Sequence, residues 1–229
     1  MTDMPGTLDD IATIGREDTL RSIISALEED IVFGRLHQRE RLIEDDLMAR
    51  FSAKRHLIRQ ALTELERMGL VERVPNRGSS VRVHNPETVT QLYDVRELLE
   101  IHAAKLIPLP LPKTDLDRLE EIQKVHDQAV ADVNFRMVFR SNIEFHRLFF
   151  GLCGNPFLAK SIDEYAHRTH GIRFYALADP NEHKRAQSEH HEMIRCLKAG
   201  HREGLVEVCR KHLIPAKNIY IQALKRYTV

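Results

Sequence analysis

The stretch "GRLHQRERLIEDDLMARFSAKRHLIRQALTELERMGLVERVPNRGSSVRV", residues 34–83, decides the fold of the N-terminal part of the chain and, through its charge, the class of partner. Its segment "IEDDLMARF" reads as a brief helix broken at Ser52-Ala53, and "KRHLIRQALTELERMG" as a second helix stopped by Gly69. On that second helix Leu57, Ile58, Ala61, Leu62, Leu65 and Met68 share one side, which leaves Arg55, His56, Arg59 and Gln60 on the other. Two arginines at i and i+4, near the N-terminal end of an exposed helical face, can reach adjacent base edges or phosphates in a DNA major groove. "LVERV" and "SSVRV" then flank a Pro-Asn-Arg-Gly turn with β-branched residues, the pattern of a two-stranded hairpin.

Working outward, Leu20, Ile23, Ile24, Leu27 and Ile31 recur at helical spacing and end near Gly34, which adds a helix in front. Helix, helix, turn, helix, hairpin is the order of a winged helix-turn-helix domain, expected over residues 17–85 behind a flexible extension at residues 1–16. The charge distribution agrees with a nucleic-acid partner. The chain carries no net formal charge, yet from Arg50 to Arg82 there are eight basic residues against three acidic ones, a local excess of five. One module is therefore suited to phosphates while the remainder is acidic by the same amount.

At 229 residues and 42% hydrophobic content the chain has room for two modest domains with real cores. No run of about 18 apolar residues occurs and the start "MTDMPGTLDDIATIG" lacks the basic-then-apolar layout of a signal peptide, so a soluble, cytoplasmic protein with no membrane partner is expected. Cys153, Cys196 and Cys209 have no C-x-x-C spacing and read as buried small hydrophobes.

After Pro86 strand-like alternation does not return, and residues 86–229 read as an all-helical bundle, making the whole chain mainly α. Helices are expected at roughly 87–107, 114–132, 134–153, 156–178, 182–199 and 202–225, punctuated by "PLPLP", Gly151 and Gly154, Asp179-Pro180 and Gly200. Within "SNIEFHRLFFGLCGNP", Asn142 and His146 fall on the apolar stripe of Phe135, Val138, Phe139, Phe149 and Cys153. His190 aligns with Ala186, Met193, Ile194 and Leu197, and His212 with Leu205, Val208, Cys209, Ala216 and Ile219. Three inward histidines from three helices, with an inward amide a turn before the first, are what a metal site in a bundle core requires. Imidazole nitrogens suit zinc, nickel or a similar divalent transition metal, one per chain, and the Asn142 oxygen can complete a set of four. Arg96 also turns inward, among Leu92, Val95, Leu99, Ala103 and Leu106, and needs an anion. That anion is either a small carboxylate ligand or Glu100 one turn later. His126 shares a stripe with Leu119, Ile122 and Val130 and reads as a hydrogen-bonded core or interface residue, His191 and His201 as surface residues, while His167, His170 and Arg173 are not ranked.

The run quoted at the outset resembles the DNA-binding domain of the GntR family of bacterial transcription regulators, in the register of Arg41, Leu42, Glu44 and Leu47, the run from Arg55 to Val71 and the "P-x-R-G" wing. The resemblance implies DNA contacts from Lys54, Arg55 and Arg59 on the recognition helix and from Arg77 and Gly78 at the wing tip. Three positions depart from the family pattern: Gln38-Arg39 stands for the usual Pro-Gly, Lys54 for the Ser or Thr that caps the recognition helix, and Leu57 for a frequent proline. Loss of the cap weakens the helix start by about 0.5–2 kcal/mol, while the lysine adds a phosphate partner. "YDVRELLEIHAA", "NIEFHRLFFGLCGNPFL", "SEHHEMIRCLKAG" and "CRKHL" are similar, in order and spacing, to the FCD effector domain of the FadR branch of these regulators. The resemblance implies a metal held at Asn142, His146, His190 and His212, with asparagine where aspartate is usual.

Together these features lead to the expectation of a ligand-responsive regulator, a repressor, that binds palindromic operator DNA as a homodimer and senses a small organic acid through Arg96 and the metal. A metal-free pocket that hydrogen-bonds its ligand directly is the alternative. A His-metal hydrolase is a distant one, because no inward carboxylate serves as general base and no H-E-x-x-H, nucleophile elbow or phosphate loop is present; no enzyme activity is expected.

Overall fold

In the computed structural model residues 8–74, 77–173 and 179–226 are described, and the chain divides between Val83 and His84 into two compact units. The first unit holds α1 (Leu8–Val32), α2 (Glu44–Phe51) and α3 (Arg55–Arg67), with β1 (Arg41–Leu42), β2 (Val71–Val74) and β3 (Gly78–Val81). Helix α1 starts well ahead of Thr19, so residues 8–16, expected as a flexible extension, are helical. No proline interrupts "LDDIATIGREDTL", and its single glycine costs a helix only about 1 kcal/mol.

Helix α2 carries Glu44, Asp45 and Asp46 in its first turn and Arg50 in its last, the arrangement the helix dipole favours, and Ser52 ends it in a left-handed conformation. Helix α3 buries Leu57, Ile58, Ala61, Leu62 and Leu65 against Ile23, Leu27 and Ile31 of α1 and Leu47 of α2. The wing is a three-stranded antiparallel sheet in the order β1-β3-β2, one strand more than the expected hairpin, with Val71 opposite Val81 and Arg41 opposite Ser80. Strand β1 is two residues long, too short to show a period of two in sequence; Arg39 turns into it at φ 65° and donates its backbone N–H to Val81 O at 3.0 Å. Pro75 and Asn76 of the expected turn lie outside the described residues.

The second unit is helical: α4 (Pro86–Leu106), α5 (Lys113–Ala131), α6 (Phe135–Gly151), α7 (Pro156–Arg168), a short 3-10 turn (His170–Ile172), α8 (Pro180–Ala199) and α9 (Arg202–Arg226). Three starts share one device, an Asn or Asp cap followed by proline at the first helical position: Asn85-Pro86, Asn155-Pro156 and Asp179-Pro180, each side chain accepting a backbone N–H of the first turn. Helix α7 stops earlier than expected, at Arg168. Thr169 is buried, donates its hydroxyl to Ala166 O at 2.8 Å and leads into the 3-10 turn. Residues 174–178, the end of the expected helix, lie outside the described residues.

Phe145, Phe149 and Phe150 of α6 are buried with Ile101, Leu119, Ile194, Leu197 and Leu205, each full burial contributing about 1.5–3 kcal/mol. A smaller cluster joins Val89, Tyr93, Ile172, Leu213 and Tyr220. The Tyr220 hydroxyl of α9 accepts the His84 N–H at 3.2 Å and donates to His84 O at 3.3 Å. Cys153, Cys196 and Cys209 are free and buried. Among the described residues no helix is long and apolar enough to cross a membrane.

One strained position yields a stability test. Val133, after α5, is exposed and β-branched yet holds φ 54°. The left-handed conformation costs an L-residue about 1–2 kcal/mol, of which a glycine gives back about 0.5–1 kcal/mol in unfolded-chain entropy. Val133→Gly is expected to stabilise the unit by about 0.5–1 kcal/mol, measured as a higher denaturant midpoint at unchanged slope.

Candidate DNA-reading face and histidine pocket

In the first unit Lys54, Arg55, His56, Arg59 and Gln60 are exposed on α3, opposite its buried stripe. Lys54 occupies the N-cap position with extended backbone and makes no side-chain cap, so the first N–H groups of α3 keep their affinity for an anion. Arg55 pairs with Glu44 at 3.2 Å and Asp45 at 2.5 Å, and Arg59 Nε donates to both Glu44 oxygens at 3.0 Å. These pairs are solvent-exposed and stabilise the fold little. They do fix where the guanidiniums start before any partner arrives. Arg77 and Gly78 are exposed at the wing. Gly78 has φ 81° with open space where a Cβ would lie, so the backbone conformation, not crowding, requires glycine there.

In the second unit His146 of α6, His190 of α8 and His212 of α9 converge. His146 Nε2 lies 3.0 Å from His212 Nε2 and 3.2 Å from His190 Nε2. Each outer nitrogen but one is held: His190 Nδ1 by Gln123 Oε1 at 3.0 Å and His212 Nδ1 by Glu189 Oε2 at 2.6 Å. Gln123 donates to Asp127 at 2.7 Å, and Glu189 accepts from Arg185 at 2.5 Å, so both partners are themselves oriented. His146 Nδ1 is buried without a partner among the described residues.

Burial first, then the neighbouring imidazoles and guanidiniums, hold His146 and His190 well below the usual imidazole range, so both rings are neutral. Burial raises the Glu189 carboxyl, but the bonds from His212 and Arg185 outweigh it and keep it ionised. His190 and His212 spend Nδ1–H on outer acceptors and so turn their Nε2 lone pairs toward His146 Nε2, an arrangement that a cation among the three nitrogens would satisfy. Metal–nitrogen bonds of about 2.0–2.1 Å put tetrahedral donors about 3.3 Å apart, close to the spacing seen. The donor set therefore fits a transition-metal ion.

Asn142, one turn before His146, lines a cavity of about 640 Å³, including the part open to solvent, with Arg96, Arg173 and His212. A second lobe shares Asn142, Arg96 and Arg173 and reaches His146. Arg96 is buried and takes the local partner: its guanidinium donates to Glu100 at 2.8 and 2.9 Å and to Thr169 Oγ1 at 3.1 Å. Arg173 differs. It lines both lobes, and its side chain makes no hydrogen bond or ion pair among the described residues; burial, then Arg96, pushes it down to about 10, still charged at neutral pH.

His170 lines the second lobe, whereas His167 bonds Asp163 O at 2.7 Å and borders neither. His126 is buried with Nδ1 3.0 Å from Ser141 Oγ, and His191 is exposed and bonded to Asp127. Gln123, Glu189, Arg185 and the buried His183 escaped the sequence reading. Gln123 alone left a signal there, as a polar residue on the stripe of Leu119 and His126.

Comparison with known proteins agrees with this architecture. Residues 19–81 match the family model of bacterial regulatory proteins, gntR family, and residues 91–214 match the FCD domain. The Nta operon transcriptional regulator of Aminobacter aminovorans is 27% identical over 164 residues, 72% of this chain and 76% of that one. The HTH-type transcriptional repressor NanR of Cronobacter sakazakii is 27% identical over 170 residues, 63% of this chain and 64% of that one. Among solved structures, E. coli McbR/YncC superposes with a TM-score of 0.77 at 20% identity, covering 90% of this chain and 98% of that one. With a winged DNA-reading unit ahead of an FCD bundle whose cavity is lined by arginines and histidines, the chain belongs to the gntR family of bacterial regulatory proteins and is a ligand-responsive transcriptional regulator, not an enzyme.

Proposed function

We propose that this regulator is a cytoplasmic repressor whose homodimer holds palindromic operator DNA and releases it when a small organic acid enters the cavity of the FCD unit. In this reading residues 17–85 bind DNA, with Lys54, Arg55 and Arg59 on the recognition helix and Arg77 and Gly78 at the wing, and residues 86–229 bind effector and dimerise. His146, His190 and His212, with the amide oxygen of Asn142 as fourth donor, hold one zinc or nickel ion per chain. The ion supplies a fixed positive charge at the cavity wall. Arg173 supplies a second, while Arg96, bonded to Glu100 and Thr169, anchors the wall.

The observation that carries this reading is the convergence of His146, His190 and His212, their ligand nitrogens within 4.8 Å of one another, beside cavity lobes that His146, His212 and Arg173 line, the Arg173 side chain making no hydrogen bond or ion pair among the described residues. A carboxylate satisfies both cations. The name of the Cronobacter relative supports repression as the sign of the response. An acid that binds one conformation of the bundle better than another shifts the population between them, and with it DNA affinity.

The test uses an operator selected from random duplexes and a panel of two- to six-carbon mono- and dicarboxylates in a mobility-shift titration. At least one acid is expected to weaken operator binding by about 5–150-fold, the span of typical couplings. Arg173→Met should keep metal and operator binding yet lose that response. An Arg173→Met protein that responds like the parent would falsify the anion site.

A further inference from the structure

The cavity holds an instruction about its ligand that the metal and arginines do not explain. His126 of α5 lines the first lobe and is only 1% exposed, and its Nε2 is buried without a partner among the described residues. Which nitrogen carries the proton follows from its neighbour. Ser141 spends its one hydroxyl proton on Met137 O at 2.6 Å, so toward His126 Nδ1, 3.0 Å away, Ser141 Oγ can only accept. Nδ1 is therefore the protonated nitrogen. A second proton on Nε2 would be buried with no acceptor among the described residues, so Nε2 is left as a bare lone pair.

We infer that His126 sets effector specificity: its Nε2 accepts a hydrogen bond from a hydroxyl of the bound molecule, so the effector is a hydroxylated organic acid and not a plain aliphatic one. The inference rests on the proposed anion site for the acid end of the molecule. The same lobe is also lined by apolar Val138, Phe139 and Leu213, which suit the carbon chain of such an acid. An ammonium group would also donate, but Arg96 and Arg185 are already paired with Glu100 and with Glu182 and Glu189, so the charge left over in this lobe is that of Arg173, which repels a cation. A neutral hydroxyl meets the acceptor without that cost.

The experiment uses the full-length, metal-loaded chain with matched pairs: butanoate and 4-hydroxybutanoate, pentanoate and 5-hydroxypentanoate, hexanoate and 6-hydroxyhexanoate, with gluconate added. Calorimetric titration should find the best hydroxy acid binding about 10–100-fold tighter than its deoxy partner in the parent. His126→Phe should erase that ratio while leaving the deoxy acid unchanged. Equal binding of every pair in the parent, or a ratio that survives His126→Phe, overturns the inference while leaving the anion site standing. No binding by any acid overturns the anion site and this effector class together.

Nitrogen-15 spectra of the histidine-labelled parent do not depend on the variant folding. They should show His126 protonated at Nδ1, with the Nε2 resonance moving on addition of the hydroxy acid but not of its deoxy partner. A proton on Nε2 in the free protein overturns the inference outright.

Discussion

His190→Ala is expected to strip the second unit of the proposed metal: elemental mass spectrometry on untagged protein should find about one ion per chain in the parent and essentially none in the variant. The reason is cooperative. His190 Nε2 is one of three converging donors, and its ring is locked from behind by Gln123, so removal deletes a ligand and frees an outer-shell amide at once. Ligand binding to the folded state adds stability by mass action, about 2.7 kcal/mol at a hundredfold excess over Kd. Chelation should therefore lower the parent's melting temperature by about 5–10 °C and leave His190→Ala, already metal-free, unmoved. Full metal content in the variant would place the ion elsewhere. Absence of metal from the parent, even after incubation with zinc or nickel, would leave the three imidazoles as direct hydrogen-bonding groups.

Arg59→Ala should abolish specific operator recognition with little effect on folding. Its contacts in the free protein are exposed pairs with Glu44, worth at most about 1 kcal/mol. A guanidinium read against a guanine edge contributes about 1–3 kcal/mol of discrimination, and the proposed dimer would present it twice. The expected loss in a mobility-shift titration at fixed salt is about 30-fold to about 20,000-fold on operator, with non-specific binding changed much less. Equal weakening on all sequences, with the salt slope reduced by about one, would instead make Arg59 a phosphate contact. Unchanged binding would remove α3 from the interface.

Much of the bundle is legible in the chain because its signals are local. Asn85-Pro86, Asn155-Pro156 and Asp179-Pro180 announce helix starts, and the 3.6-residue stripes of α6, α8 and α9 carry three histidines to one point. What escapes depends on partners far away in sequence. Gln123 and Glu189 matter because of the imidazoles they orient, 67 and 23 residues distant, and no periodicity encodes such a pairing. Arg96 presents the opposite difficulty: Glu100 is one turn away on the same face, so sequence offers both a local and an external anion and only coordinates choose. Thr169 ends α7 without a preceding glycine or proline, and β1 is shorter than one full alternation; both lie below what pattern can resolve.

Helix α9 carries His212 in its middle and, eight residues on, Tyr220, whose hydroxyl grips the backbone of His84, the first residue of the second unit. Eight residues are about 12 Å of helix, with Pro215 between them as the one point where the ladder of backbone bonds is interrupted. One helix thus carries both His212 and the tyrosine that holds the first residue of the second unit. Thermodynamics then imposes a symmetry on any signal along it: whatever factor the effector takes from operator affinity, operator must take from effector affinity. In the proposed release mode a regulator already seated on its operator is accordingly the less sensitive detector, and its response threshold rises with the strength of the site it occupies.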